Sequence, residues 1–157
     1  MNLELDIFSK FNNQWALLTA GDESNFNTMT ISWGSMGTLW NKPVVTTYVR
    51  KSRYTHDFMD NNDYFTVSFY PEEYKDVLGV MGSKSGRDMD KMNDSGLTPE
   101  AVANTMTFKE AEMTLVCKKL CKQPIEAENM PEDIKNAMYA DEDWHDMYIG
   151  EVVEVIK

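Results

Sequence analysis

Two segments, YVRKSRYTHDF (48–58) and GSKSGRDMDK (82–91), set guanidinium and ammonium groups beside hydroxyls and glycines in a chain of formal net charge -11. Arg50, Lys51, Arg53, Lys84, Arg87 and Lys91 are six of only 15 basic residues, against 26 acidic ones. Cations concentrated next to Ser, Thr and Gly can hold one compact anion, most simply a phosphate, through charge-assisted hydrogen bonds and main-chain N–H groups. The plainer alternative makes Arg50 and Arg53 surface charges at a helix entry, with Ser52 as the cap. The two roles are compatible, since a helix N-terminus itself attracts anions. Lys84, Arg87 and Lys91 have the same alternative, as solvated loop charges facing Asp88 and Asp90, pairs that contribute little.

A third segment, NTMTISWGSMGTLWN (27–41), carries no charge. Its small residues Ser32, Gly34, Ser35 and Gly37 allow a planar ligand to approach the backbone, whose N–H and C=O groups read a polar edge. The competing reading is a strand followed by a glycine turn. Trp33, Trp40 and Trp144 suit either a stacked ligand or core and interface. His145 reads as a strand-entry residue, with Asp143-Trp144-His145 before the last strand also able to reach a ligand.

These segments need elements to position them. Apolar runs rich in β-formers at 15–20, 29–33, 44–49, 64–70, 111–120 and 147–156 predict six strands. Helices are predicted at 53–61 and 71–81, the second with Pro at its start and Gly82 after its end, and shorter ones at 88–93 and 131–139. Short strands with helices at irregular spacing predict a mainly β fold, an antiparallel barrel with peripheral helices, and argue against a doubly wound parallel sheet. No glycine fingerprint of a parallel nucleotide-binding fold and no Walker-type loop occurs.

Length and composition set the remaining bounds. The 157 residues, 42% hydrophobic, read as one domain over 1–157. The negative charge repels nucleic acid and anionic membrane. The stretch 24–41 is too polar for a membrane span and the N-terminus lacks a leader pattern, so a cytoplasmic protein is expected. Cys117 and Cys121 lie too close in one segment for a cross-strand disulfide. His56 and His145 have no neighbouring ligand cluster, so no metal is expected. The methionines read as flexible core filler.

In order, TISWGSMG (30–37), the Pro43-led strand, VRKSRYTHDF (49–58), FTVSF (65–69), GSKSGRDMDK (82–91), EMTLVCKKL (112–120) and HDMYIGEV (145–152) resemble the flavin reductase-like, FMN-binding split-barrel family, flavoredoxin included. The resemblance implies a six-stranded antiparallel Greek-key split barrel that forms homodimers, with FMN near the subunit interface. It implies that Arg50, Ser52 and Thr55 hold the phosphate, with Lys51 or Arg53 as auxiliary charge. The backbone of Thr30, Ile31, Ser32 and Trp33 would line the isoalloxazine edge, while Ser83, Lys84, Ser85 and Gly86 close over the ribityl phosphate or ring. Spacing alone leaves FMN, FAD and free flavin open. The chain ends at Lys157, shorter than many proteins it resembles, so a more open substrate side is expected.

The chemistry suits such a site. A phosphate monoester carries about -1.5 to -2 charge near neutral pH, and hydrogen bonds to ionised groups contribute roughly 1.5–3 kcal/mol each. A few suffice for micromolar binding, about -8 kcal/mol. The planar fork of Arg engages two oxygens, which ranks Arg50 above Lys51. Because a bound flavin does the redox chemistry, no catalytic triad is needed. The expected activity is NAD(P)H-dependent reduction of free flavin or a small acceptor. The alternatives are a flavoredoxin-like electron carrier reduced by a protein partner, and an FMN-binding protein without turnover.

Overall fold

The computed structural model describes residues 2–87 and 90–157. After α1 (Ile7–Ser9) and a turn of π-helix (Lys10–Gln14), β1 (Ala16–Asp22) and β2 (Asn25–Ile31) form an antiparallel hairpin, with Ala16 opposite Ile31. A second hairpin, β3 (Gly34–Leu39) and β4 (Lys42–Arg50), turns on Trp40 and Asn41 at φ of 52° and 58°. Two successive positive-φ residues make the type I′ turn whose twist matches its strands. Then follow α2 (Tyr54–Asn61), β5 (Tyr64–Phe69), α3 (Lys75–Ser83) and α4 (Lys91–Asp94). The small hairpin β6 (Pro99–Val102) and β7 (Thr105–Phe108) precedes β8 (Met113–Pro124), α5 (Glu132–Met138) and β9 (His145–Ile156).

The main sheet has seven strands in the order β2-β1-β5-β8-β9-β4-β3, and each neighbouring pair is antiparallel. Its two edges, β2 and β3, are joined in sequence by Ser32 and Trp33 alone. Three Cα steps reach at most about 11 Å, so the edges face each other across a narrow gap and the sheet must curl. The core agrees: Met29 and Ile31 of β2 share one cluster with Val45 and Val49 of β4, from the opposite end of the sheet order. Shifts in the β8–β9 register at Val116/Cys117 and Lys119/Cys121 mark the bulges that help long strands bend. Phe11 packs inside against Gly34, where a Cβ would lie 2.5 Å from the ring.

The outer face of the sheet is covered by α3 and the β6–β7 hairpin. Leu17, Tyr70, Leu78, Met81, Leu97 and Phe108 form a second apolar cluster there. Beside it runs a buried hydroxyl seam: Thr19 to Thr28 at 2.8 Å, Ser68 to Thr107 at 2.8 Å and Ser68 to Thr114 at 3.0 Å. Pairing these hydroxyls avoids the penalty of burying them unmet.

The mainly β expectation with peripheral helices agrees with this architecture. The count of six strands is corrected: the sheet has seven, is not closed, and is accompanied by a separate two-stranded sheet. The alternative of a strand followed by a glycine turn is corrected: Gly34 and Gly37 lie within β3, and the reversal comes later, at Trp40-Asn41. Asp88, offered as a surface partner for the loop cations, lies outside the described residues, as does the side chain of Lys91. Among the described residues no helix is long and apolar enough to cross a membrane.

Candidate functional site

The gap between the sheet edges opens into a cleft of about 200 Å³ lined by Met29, Thr30, Ile31, Ser32, Trp33, Tyr48, Arg50, Arg53, Gly82 and His145. That is below the roughly 300–1,000 Å³ of common ligand pockets. It shares Ser32, Trp33 and Tyr48 with an adjoining groove of about 1060 Å³, walled by Phe8, Phe11, Gly34 and Met36. The two guanidiniums line the cleft and not the groove. One wall is β2, an edge strand, so its outward backbone groups are not used by a neighbouring strand of the sheet and can meet a ligand.

Strand parity builds the opposite wall. Arg50 of β4 pairs with His145 of β9, and cross-strand partners project to the same face; Tyr48, two residues earlier, joins them. Arg53 follows as the N-cap of α2, a helix start with no side-chain cap. Its guanidinium donates to the Gly82 carbonyl at 3.0 Å. Burial is the main influence lowering its pKa, with Asp143 opposing and the like charge of Arg50 adding. Two guanidiniums sharing one cleft repel, and an anion between them relieves that repulsion.

The two basic segments are clamped together reciprocally. Arg53 of the first holds the Gly82 carbonyl of the second, while Arg87 of the second donates to the Ser52 carbonyl at 3.0 Å and to Asp57 at 2.9 Å. Arg87 also lies over the Tyr54 ring, 4.8 Å from its centroid.

The acidic turn after α5 meets the first segment. Arg50 donates to the main-chain carbonyls of Asp143 at 2.6 Å and Met138 at 3.0 Å, and covers the Tyr139 ring. Asp143 accepts from the Ser52 N–H at 3.2 Å and from its hydroxyl at 2.5 Å. The Lys51 N–H donates to the Trp144 carbonyl at 3.0 Å, and Trp144 stacks on Tyr139. Beneath this turn the Tyr139 hydroxyl sits 2.7 Å from His145 Nδ1. Burial, aided by the Arg50 charge, pushes the His145 pKa down to about 4, so the ring is neutral at pH 7. When Tyr139 donates to Nδ1, Nε2 carries the proton and is the atom the imidazole offers a ligand.

Of the residues singled out in the sequence, Thr30, Ile31, Ser32, Trp33, Arg50 and Arg53 line one cleft. Lys51 and Ser52 lie exposed at its rim. Thr55 is buried behind it, its hydroxyl accepting from Asn27 at 2.8 Å. The Thr30 hydroxyl donates to the Leu78 carbonyl, fixing α3 against β2. Ser83, Lys84, Ser85 and Gly86 are not in the cleft wall. Ser83 bonds back to Val80, Ser85 accepts from the Arg87 N–H, and Gly86 packs against Asn27 and Tyr54, where a Cβ would be 2.4 Å from Asn27 Oδ1. Tyr48 and Gly82 were missed, although the two-residue spacing of Tyr48 and Arg50 carried the signal for the first. Nothing local marked Tyr139, and Asp143 entered only through the Asp143-Trp144-His145 run, with no sign of its contact to Ser52.

The model of the flavin reductase like domain matches residues 8–157 of the chain. Among solved structures, an FMN-binding protein from Thermus thermophilus with bound 1-cyclohex-2-enone is 20% identical, with a TM-score of 0.72, covering 100% of this chain and 78% of that one. A flavoredoxin from Methanosarcina acetivorans is 21% identical, with a TM-score of 0.70, over 100% and 75%. Nitrilotriacetate monooxygenase component B from Bacillus cereus is 19% identical, with a TM-score of 0.69, over 90% and 67%. No curated protein sequence matches the chain.

Proposed function

The chain belongs to the flavin reductase-like family, and from that premise we propose that it binds FMN in the gap between its sheet edges and reduces free flavin or a small acceptor at the expense of NAD(P)H. The observation that carries this reading is the convergence of Arg50 and Arg53 on the same cleft as the free edge of β2. The donor set fits the cofactor: two guanidiniums for a dianionic phosphate, and the backbone of Thr30, Ile31, Ser32 and Trp33 for the polar edge of a ring. Each guanidinium has five N–H donors, so the carbonyl bonds already made leave others for phosphate oxygens.

When bound, FMN supplies the ring that accepts hydride and passes electrons on. The residues of the chain orient and insulate it. Ser52 and Lys51 would add a hydroxyl and a charge at the phosphate rim, and Ser83, Lys84, Ser85 and Gly86, which do not line the cleft, would reach the ribityl side only by moving toward it. Thr55 acts from behind through Asn27. His145, neutral, would offer its Nε2–H to the ring or acceptor, with Trp33 beside it, 5.3 Å from the His145 ring. A homodimer with the cofactor near its interface is part of the proposal; Phe8, 88% exposed beside the apolar groove, supports it.

NADH or NADPH oxidation by the FMN-loaded protein tests the activity. The second reading, an electron carrier, is supported by the fold shared with the Methanosarcina flavoredoxin. It predicts tightly bound FMN that neither nicotinamide reduces and a protein reductant does.

A further inference from the structure

The phosphate rim is already engaged by an anion of the chain itself. Asp143 offers one carboxylate oxygen to the Ser52 N–H and the other to the Ser52 hydroxyl, a bidentate arrangement of the kind a phosphate makes. The Asp143 carbonyl of the same turn accepts from Arg50, as does the Met138 carbonyl at the end of α5, with Asp141 3.8 Å from the guanidinium. The turn is closed locally: the Glu142 N–H closes on the Tyr139 carbonyl, Glu142 has a φ of 57°, and the Asp143 N–H is held by Asp141. Its acidic run Asp141-Glu142-Asp143 thus lies against the basic run Arg50-Lys51-Ser52-Arg53.

We propose that Asp143 is an internal competitor for the cofactor phosphate. Its carboxylate holds the Ser52 N–H and hydroxyl, and entry of the phosphate displaces the 139–143 turn and frees Ser52 for the phosphate oxygens. A dianion outcompetes the single carboxylate, whereas an uncharged flavin has nothing to exchange for it. The turn therefore sets a threshold that a phosphorylated ligand passes and riboflavin does not need to pass. This inference rests on the FMN reading above.

The test is a pair of titrations on the full chain and its Asp143→Asn variant, following quenching of FMN and of riboflavin. Asn keeps a hydrogen bond to Ser52 and removes the charge. FMN affinity should rise about 5- to 10-fold while riboflavin affinity stays the same. A fall in FMN affinity makes Asp143 an aid to binding and overturns the proposal; equal changes for both flavins, or none, also overturn it. If neither flavin binds the unsubstituted chain, the FMN reading fails instead. A measurement on the unsubstituted protein guards against a variant that does not fold. Saturating inorganic phosphate should alter tryptophan emission through the Tyr139–Trp144 stack, and the alteration should be absent from Trp144→Phe. Identical responses of the two proteins to phosphate contradict displacement of the turn.

Discussion

His145 and Asp146 are consecutive residues on opposite faces of β9, and their surroundings differ in kind. Inside, Asp146 is 3% exposed and lies 2.6 Å from His56 Nε2 and 3.5 Å from Lys122. Asp60 completes that cluster, accepting from the Tyr148 hydroxyl at 2.6 Å and pairing with Lys122 at 2.8 Å. Outside, His145 faces Tyr139, Trp33 and Arg50, with no carboxylate bonded to its ring among the described residues. The inner set spends its polar atoms on one another, which suits a structural role. The outer set instead spends its guanidinium bonds on main-chain carbonyls, Arg50 on Asp143 and Met138 and Arg53 on Gly82. One strand thus separates the charges that hold the fold from those proposed to meet the cofactor.

The sharpest way to break the comparison is to remove Asp146. Asp146→Ala strips a buried carboxylate from His56 and Lys122 and should destabilise the chain by about 3–5 kcal/mol, read as a fall in the denaturant midpoint. Flavin affinity at temperatures where the variant is folded should hardly change. A fall in affinity larger than the fall in stability would mean that the inner cluster also serves the site.

The outer histidine should reveal itself through pH. Its pKa is about 6.5 in the unfolded chain and about 4 in the fold, so between these values the unfolded state binds the extra proton. Its contribution is therefore fully present above pH 6.5 and is lost as pH falls toward 4, by roughly 3 kcal/mol in all. His145→Gln should flatten the stability profile in that window. An unchanged slope would mean that the imidazole is charged in the fold.

Arg50→Ala should weaken FMN by roughly 10- to 100-fold, as expected for one ionised hydrogen-bond donor of about 1.5–3 kcal/mol, and leave riboflavin nearly unaffected. Equal losses for both flavins would place the phosphate elsewhere. The smallest effect is expected at Lys51, exposed at the rim: Lys51→Ala should cost FMN only a few-fold in affinity, of the order of an exposed ion pair, and the loss should vanish at high salt.

How far the sequence revealed this arrangement depended on where the signal was local. Five of the six strand runs coincide closely with β1, β4, β5, β8 and β9, because their β-branched and aromatic residues alternate or run together. β3 was hidden: its reversal is Trp40-Asn41, which lacks the Asn-Gly signature of such turns. The β6–β7 hairpin was hidden for a related reason, since it turns through Ala103 at a φ of 46°. The basic segments were legible as a candidate anion site by type and spacing. Their reciprocal clamp through Arg53 and Arg87 was not, because carbonyl acceptors carry no residue identity. Asp143 reaches Ser52 across 91 positions, a contact that only the β4–β9 pairing creates.

The most direct test of the central claim is titration of FMN into colourless apoprotein, following flavin fluorescence together with the thermal midpoint. The account predicts saturable quenching at one FMN per chain and a midpoint that climbs with ligand concentration. Flavin that keeps its full fluorescence beside a protein whose melting does not move would contradict it.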